Sequence, residues 1–149
     1  LTHFTRVNYD KYQQGLPFIQ RIDQCFKKLI PNAHNKQLCK ANEKPHLTIP
    51  KTCFSTITIN RNFRTALHRD AGDYKEVFGN LTVIERGKYH GGYTCFPQFG
   101  IGVDVRRGDF LAMDVHEWHA NTEIKKKSKD FTRLSVVCYL RNRMIKCKK

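Results

Sequence analysis

His68-Arg69-Asp70, followed 51 residues after His68 by His119 in Trp118-His119-Ala120-Asn121-Thr122, and then by Arg133 on an apolar run, is the pattern from which the fold is read. In an extended chain, residues i and i+2 project to the same side, so His68 and Asp70 can reach one ion while Arg69 points away. Two imidazoles and one carboxylate on a β framework are a candidate site for a divalent first-row metal. Three protein ligands leave coordination positions open, an arrangement that suits Fe(II) and O2 chemistry. A lone His-x-Asp is common and reads equally well as an exposed turn. The distal histidine and the late arginine are what make it a constellation. His116 competes with His119 for the third position, and spacing alone admits either.

Around these residues the hydrophobic period is two. Runs from Cys53 to Asn60, Arg64 to His68, Leu81 to Glu85, Gly92 to Phe96, Gly100 to Val105, Asp109 to Met113 and Arg133 to Leu140 read as strands. Gly72, Gly91-Gly92 and Arg107-Gly108-Asp109 mark tight reversals beside the candidate site. The last of these would start a strand that delivers the distal histidine at its far end. Upstream the period is helical: Leu16, Phe18-Ile19, Ile22, Cys25-Phe26 and Leu29-Ile30 form one apolar face over about 11–30, closed by Pro31-Asn32. Polar residues with Pro45 and Pro50 make 31–51 a loop. The expected architecture is α+β, a β-sandwich or jelly-roll core over 52–141 with an N-terminal helix packed on it and a basic tail at 142–149.

Composition bounds the possibilities. The chain has 149 residues, 40% of them hydrophobic, with ten Phe and six Tyr, which suits one domain with one core over 1–149. No run of about eighteen apolar residues is present and the start carries no signal-peptide pattern, so neither membrane insertion nor secretion is expected. The first residue is not Met, as in a processed product or a piece of a longer protein. Six cysteines without a Cys-x-x-Cys pair argue against a zinc ribbon or redox motif; Cys53, Cys95 and Cys138 read as reduced core filler in an intracellular protein. Lys and Arg total 27 against 13 Asp and Glu, a formal charge of +14, which makes nucleic acid the leading partner. Lys125-Lys126-Lys127-Ser128-Lys129 and the terminal Arg141, Arg143, Lys146, Lys148 and Lys149 form two clusters flanking the candidate site. Each alone also reads as an ordinary solvated segment.

Asn60-Arg61-Asn62-Phe63-Arg64-Thr65-Ala66-Leu67-His68-Arg69-Asp70, Gly79-Asn80-Leu81-Thr82, Gly91-Gly92-Tyr93, Gly108-Asp109, Trp118-His119-Ala120-Asn121-Thr122 and Thr132-Arg133-Leu134-Ser135 together resemble the TET/JBP family. These are dioxygenases dependent on Fe(II) and 2-oxoglutarate that oxidise the methyl group of 5-methylcytosine or thymine in nucleic acid. The resemblance covers roughly residues 50 to 141, with a weaker match in the preceding helix.

The resemblance implies a double-stranded β-helix in which His68, Asp70 and His119 ligate iron and Arg133 holds 2-oxoglutarate. An arginine can pair bidentately with a carboxylate, as a lysine cannot. Ser135 would add a hydroxyl contact, and Arg64 would meet the other end of the cosubstrate, with Arg61 or Asn60 as alternatives. The base-reading positions of the family fall here on Asp73, Tyr139 and Arg141. Arg141 departs from the family's histidine; it only donates hydrogen bonds, which leans toward the two carbonyls of thymine. The implied partners are O2 and double-stranded DNA with a flipped base, with no membrane, a monomeric state, and a nuclear location in a eukaryote. The rival readings are the same chemistry on a protein side chain, RNA or a free nucleotide, a zinc hydrolase, and a non-catalytic nucleic-acid-binding module.

Overall fold

The computed structural model describes residues 2–147. In chain order the elements are α1 (His3–Val7), α2 (Tyr9–Leu29), α3 (Pro31–Ala41), β1 (Thr56–Arg61), β2 (Gly79–Arg86), β3 (Tyr89–Gly91), β4 (Thr94–Phe96), β5 (Ile101–Val103), β6 (Phe110–Met113), β7 (Ala120–Asn121), β8 (Ile124–Lys126), β9 (Thr132–Tyr139) and α4 (Asn142–Ile145). Short 3-10 turns lie at Pro45–Leu47 and Pro97–Phe99. No helix among the described residues is long and apolar enough to cross a membrane.

The main sheet is antiparallel with order β1-β9-β2-β6. Its two faces do different work, and the alternation along β9 shows how. Val136 and Cys138 pack against Ile19, Ile22 and Phe26 of α2, in a core with Cys53 and Phe54. The intervening Arg133, Ser135, Val137 and Tyr139 line a cavity on the other side. One face therefore stands on a helical layer and the other faces the site. The helical face that enters this core is Ile19, Ile22, Asp23 and Phe26, at the three- and four-residue spacing of one stripe. Phe26 and Phe54 are wholly buried, each contributing about 2 kcal/mol by area removed from water. Two small sheets, β3-β8 and β5-β4-β7, lie outside the main sheet.

The expected loop over 31–51 is corrected by α3, which starts with Pro31 in its first turn, where a missing N–H costs nothing. Its inner stripe is His34, Gln37 and Ala41, two of them polar, so no apolar period announces it. Gln37 is satisfied inside through both atoms of its amide, whereas His34 is bonded at Nε2 and its buried Nδ1 has no partner. Gln37 Nε2 donates to the Cys53 carbonyl and its Oε1 accepts from Phe78 N–H, both at 3.2 Å. His34 Nε2 lies 3.1 Å from Asp23 Oδ2, and Asp23 Oδ1 accepts from Cys53 N–H at 2.8 Å. This buried set joins α2 and α3 to the segment leading into β1.

Three further differences concern the β region and the tail. The expected strand Arg64 to His68 is irregular, meeting the rest of the chain as a β-bridge only at His68. Strands β3, β7 and β8 are two or three residues long and carry no readable period. Lys125 and Lys126 lie on β8, and part of the expected basic tail is the helix α4; Lys148 and Lys149 lie outside the described residues. Cys25, Cys39, Cys53, Cys95 and Cys138 are in no disulfide, and burial pushes the Cys53 thiol far up and Cys138 up to about 12. Both are inert filler at neutral pH.

Candidate active site

His68 and His119 are brought together by the backbone before any side chain acts. Each donates its N–H to the other's carbonyl at 3.0 Å, and Asp70 N–H donates to the Val115 carbonyl at 2.9 Å. The two imidazole centroids are 4.3 Å apart. His68 Nε2 lies 3.4 Å from Asp70 Oδ1, His119 Nε2 lies 4.0 Å from Asp70 Oδ2, and one donor atom from each residue falls within 4.8 Å of the others. Both imidazoles are oriented from behind: His68 Nδ1 is 2.8 Å from the Ala66 carbonyl and His119 Nδ1 is 2.8 Å from the Glu117 carbonyl. A carbonyl only accepts, so each Nδ1 carries the hydrogen and each Nε2 lone pair is free to ligate. Neutral imidazoles and one carboxylate in this arrangement fit a divalent metal. His116 instead pairs with Asp114, Nδ1 to Oδ1 at 3.0 Å, and does not line the cavity.

The cavity measures about 330 Å³ and is lined by the three donors together with Arg133, Ser135, Asp73, Tyr139 and Arg141. Arg133 is 2% exposed, and its Nη2 donates to the Gly92 carbonyl at 3.2 Å. Its Nε–H is buried with no partner. An unmatched buried donor costs on the order of 1–3 kcal/mol and calls for an acceptor. A carboxylate reaching down the cavity would supply one, and Ser135, two residues along the same strand face, is 8% exposed beside it. The residues thus fit an acidic cosubstrate. Arg64 is exposed and does not line the cavity, whereas Asn60 and Thr65 do. The structure therefore does not bring Arg64 to the site.

Asp73 and Arg141 meet across an antiparallel bridge at another part of the wall. Burial, reinforced by the charge of Asp70, pushes the Asp73 carboxyl up to about 7, against the opposing pull of His116 and Arg141. Tyr139 is held by a hydrogen bond of 3.2 Å between its hydroxyl and Thr58 Oγ1. A second group of close donors, Asp23, His34 and Cys53, lies in the helical core and lines no part of this cavity.

Two residues of the site escape the sequence reading. Asn62 binds both backbone groups of Arg133 from the end of β1. Gly92, read as a turn and the start of a strand but given no role in the site, provides the carbonyl that holds the Arg133 guanidinium. A signal exists for each: an asparagine ending a strand is suited to left-handed backbone, and paired glycines permit close approach. Neither signal names the partner.

The chain belongs to the Tet_JBP family, the oxygenase domain of the 2OGFeDO superfamily, whose model matches residues 2–142. It is 36% identical over 140 residues, 94% of this chain, to the bifunctional helicase and thymine dioxygenase JBP2 of Leishmania major. It is 34% identical over 142 residues, again 94% of this chain, to thymine dioxygenase JBP1-B of Trypanosoma cruzi. The chain spans 12% of the length of the first relative and 17% of the second. Its fold is that of NgTET1, solved in complex with 5mC DNA, at a TM-score of 0.72 and 16% identity, over 95% of this chain and 55% of that one. The α+β, jelly-roll double-stranded β-helix expected from the sequence is therefore the fold.

Proposed function

We propose that this chain is the catalytic core of a dioxygenase that hydroxylates the methyl group of a base in DNA, with thymine favoured over 5-methylcytosine. The observation that carries the reading is one cavity holding both the His68, Asp70 and His119 donors and the buried, partly unmatched guanidinium of Arg133. His68, Asp70 and His119 would hold Fe(II), and Arg133 with Ser135 would hold 2-oxoglutarate. The bound iron and cosubstrate, with O2, supply the oxidation of a methyl C–H bond.

The chain's own residues orient and exclude. Arg133 can grip a carboxylate in a fixed plane because Gly92 and Asn62 fix its side chain and its backbone. Asp73 and Arg141 offer an acceptor and a donor to the edge of a base, and Tyr139 offers a ring face. Arg141 donates to a carbonyl, of which thymine has two, and the curated relatives reported above are thymine dioxygenases by name. The donors line a cavity rather than a flat surface, so a base would leave the duplex to reach them. The charge of +14, with exposed Lys125, Lys126, Lys127 and Lys129, suits the phosphate backbone on either side.

The test is incubation with Fe(II), 2-oxoglutarate and O2 on duplex DNA containing thymine and 5-methylcytosine, followed by nucleoside mass spectrometry. One added oxygen on thymine is the expected product. Added oxygen on 5-methylcytosine alone would overturn the base assignment, and succinate with no modified base would overturn the DNA substrate.

A further inference from the structure

Segments 64–68 and 118–119 carry two of the three candidate metal donors, yet they are joined as an isolated bridge rather than by a strand ladder. On the cavity side the packing is thin: the side chains of His68 and Asp70 are 35% and 38% exposed. Two reciprocal backbone bonds set the distance between His68 and His119, and one bond on either side continues the pairing, Asn121 N–H to the Thr65 carbonyl at 3.0 Å and Asp70 N–H to the Val115 carbonyl at 2.9 Å. These bonds fix the backbones, and a side-chain contact across the bridge adds to the restraint on how the two ligand-bearing segments lie against each other.

The bridge register puts Arg69 opposite Trp118, one step along from the histidine pair. Their side chains meet, with the Arg69 guanidinium carbon 4.7 Å from the centroid of the Trp118 ring. Trp118 is 44% exposed, so this contact lies at the surface and is not part of a core. Each member is bonded directly to ligand residues: Arg69 stands between His68 and Asp70, and Trp118 precedes His119. A planar cation stacked on an indole is attractive and also directional, since it favours one mutual orientation of the two chains.

Resting on the metal reading above, we infer that Arg69 and Trp118 form a cross-strand clasp that holds the two ligand-bearing segments in register, which makes both of them positioning residues for the metal. They touch neither metal nor substrate in this role. They act by narrowing the spread of His68–His119 arrangements, so the chain gives up less freedom when an ion binds. Groups that orient metal ligands typically cost about tenfold or more in affinity when removed, and the lower end is expected for an exposed pair.

Trp118 is the only tryptophan in the chain, so its fluorescence reports on the clasp itself. The experiment titrates Co(II), a redox-inert substitute, into native protein, Trp118→Ala, Trp118→Phe, Arg69→Gln and the Trp118→Ala/Arg69→Gln double variant. The visible d–d absorption of Co(II) is read in every protein, and Trp118 emission where the indole remains. Both residues are exposed, so thermal midpoints should stay near native.

The expected result is that Trp118→Ala and Arg69→Gln each weaken Co(II) about tenfold, that the double variant is no weaker than either single variant, and that Trp118→Phe recovers most of the loss. A changed d–d band in the weakened variants would accompany altered ligand geometry. Single variants within twofold of native, or losses that simply multiply in the double variant, would overturn the clasp while leaving the metal site intact. A native protein that binds no Co(II) would overturn the metal reading and the clasp with it.

Discussion

Asn62 holds Arg133 at both of its backbone groups: its Oδ1 accepts from Arg133 N–H at 2.7 Å, and its own N–H donates to the Arg133 carbonyl at 2.8 Å. Asn62 has a φ of 50°, in the left-handed region that asparagine tolerates better than most residues. The arginine that would bind the cosubstrate is thus fixed by a residue 71 positions away, beyond the end of the neighbouring strand.

Replacing Asn62 should therefore act through Arg133. Asn62→Ala removes the Oδ1 acceptor and strains the left-handed backbone, at about 1–2 kcal/mol. The KM for 2-oxoglutarate should rise roughly tenfold if that cost falls on Arg133 placement. Asn62→Gly keeps the backbone conformation and should show a smaller rise. Succinate release against 2-oxoglutarate concentration measures both, and an unchanged KM in both variants would show that Arg133 keeps its place without this residue.

The paired glycines should separate folding from binding. At Gly91 (φ 81°), a Cβ would run into the Glu123 carbonyl across the β3-β8 pair, so Gly91→Ala should lower the thermal midpoint. At Gly92 (φ 76°), a Cβ would sit 3.2 Å from Arg133 Nε and 3.3 Å from Ile124 Cγ1. Gly92→Ala should therefore weaken 2-oxoglutarate binding by more than its stability loss explains. Differential scanning calorimetry beside isothermal titration of the cosubstrate distinguishes the two. Equal effects on both quantities in both variants would sink the distinction.

The candidate ligands are legible in the sequence because their geometry is local. His68 and Asp70 need only an extended chain, and Arg133 with Ser135 needs only the two-residue period of a long strand. Helix α3 is not legible, because its buried stripe is His34 and Gln37, whose partners Asp23, Cys53 and Phe78 lie on other segments. The Asn62–Arg133 link depends on register between β1 and β9, which no local pattern encodes. Arg64 is misplaced for a related reason: the run before His68 looks extended and alternating, yet it is irregular, so two-residue periodicity does not carry its side chain into the cavity.

Lys125, Lys126, Lys127 and Lys129 are all exposed. Each phosphate contact contributes about 0.9 to the slope of log affinity against log salt concentration for duplex DNA. Converting the four lysines to glutamine should reduce that slope by up to about 3–4 if all four meet phosphate, while succinate release without DNA stays at its native rate. Fluorescence anisotropy on a labelled duplex over a salt series gives the slope. An unchanged slope would show that this run does not face the DNA.

Asp73 should make the metal-free protein less stable as pH rises. Its carboxyl is raised from 3.8 to about 7 in the folded chain, chiefly by burial and next by Asp70. Between these values the folded chain keeps a proton that the unfolded chain has released, so each step up in pH favours unfolding until the folded carboxyl also ionises near pH 7. The loss accumulates to on the order of 4 kcal/mol across that window, or roughly 10–15 °C in thermal midpoint for a domain of this size. Asp73→Asn cannot ionise and should lack this component, so its midpoint relative to native should climb from pH 5 to pH 8. Thermal melts in chelator at fixed ionic strength measure the difference. A native-minus-variant difference that stays flat over that range would show that Asp73 ionises in the folded chain at its ordinary value, and that the cavity wall around it is wetter than its 6% exposure implies.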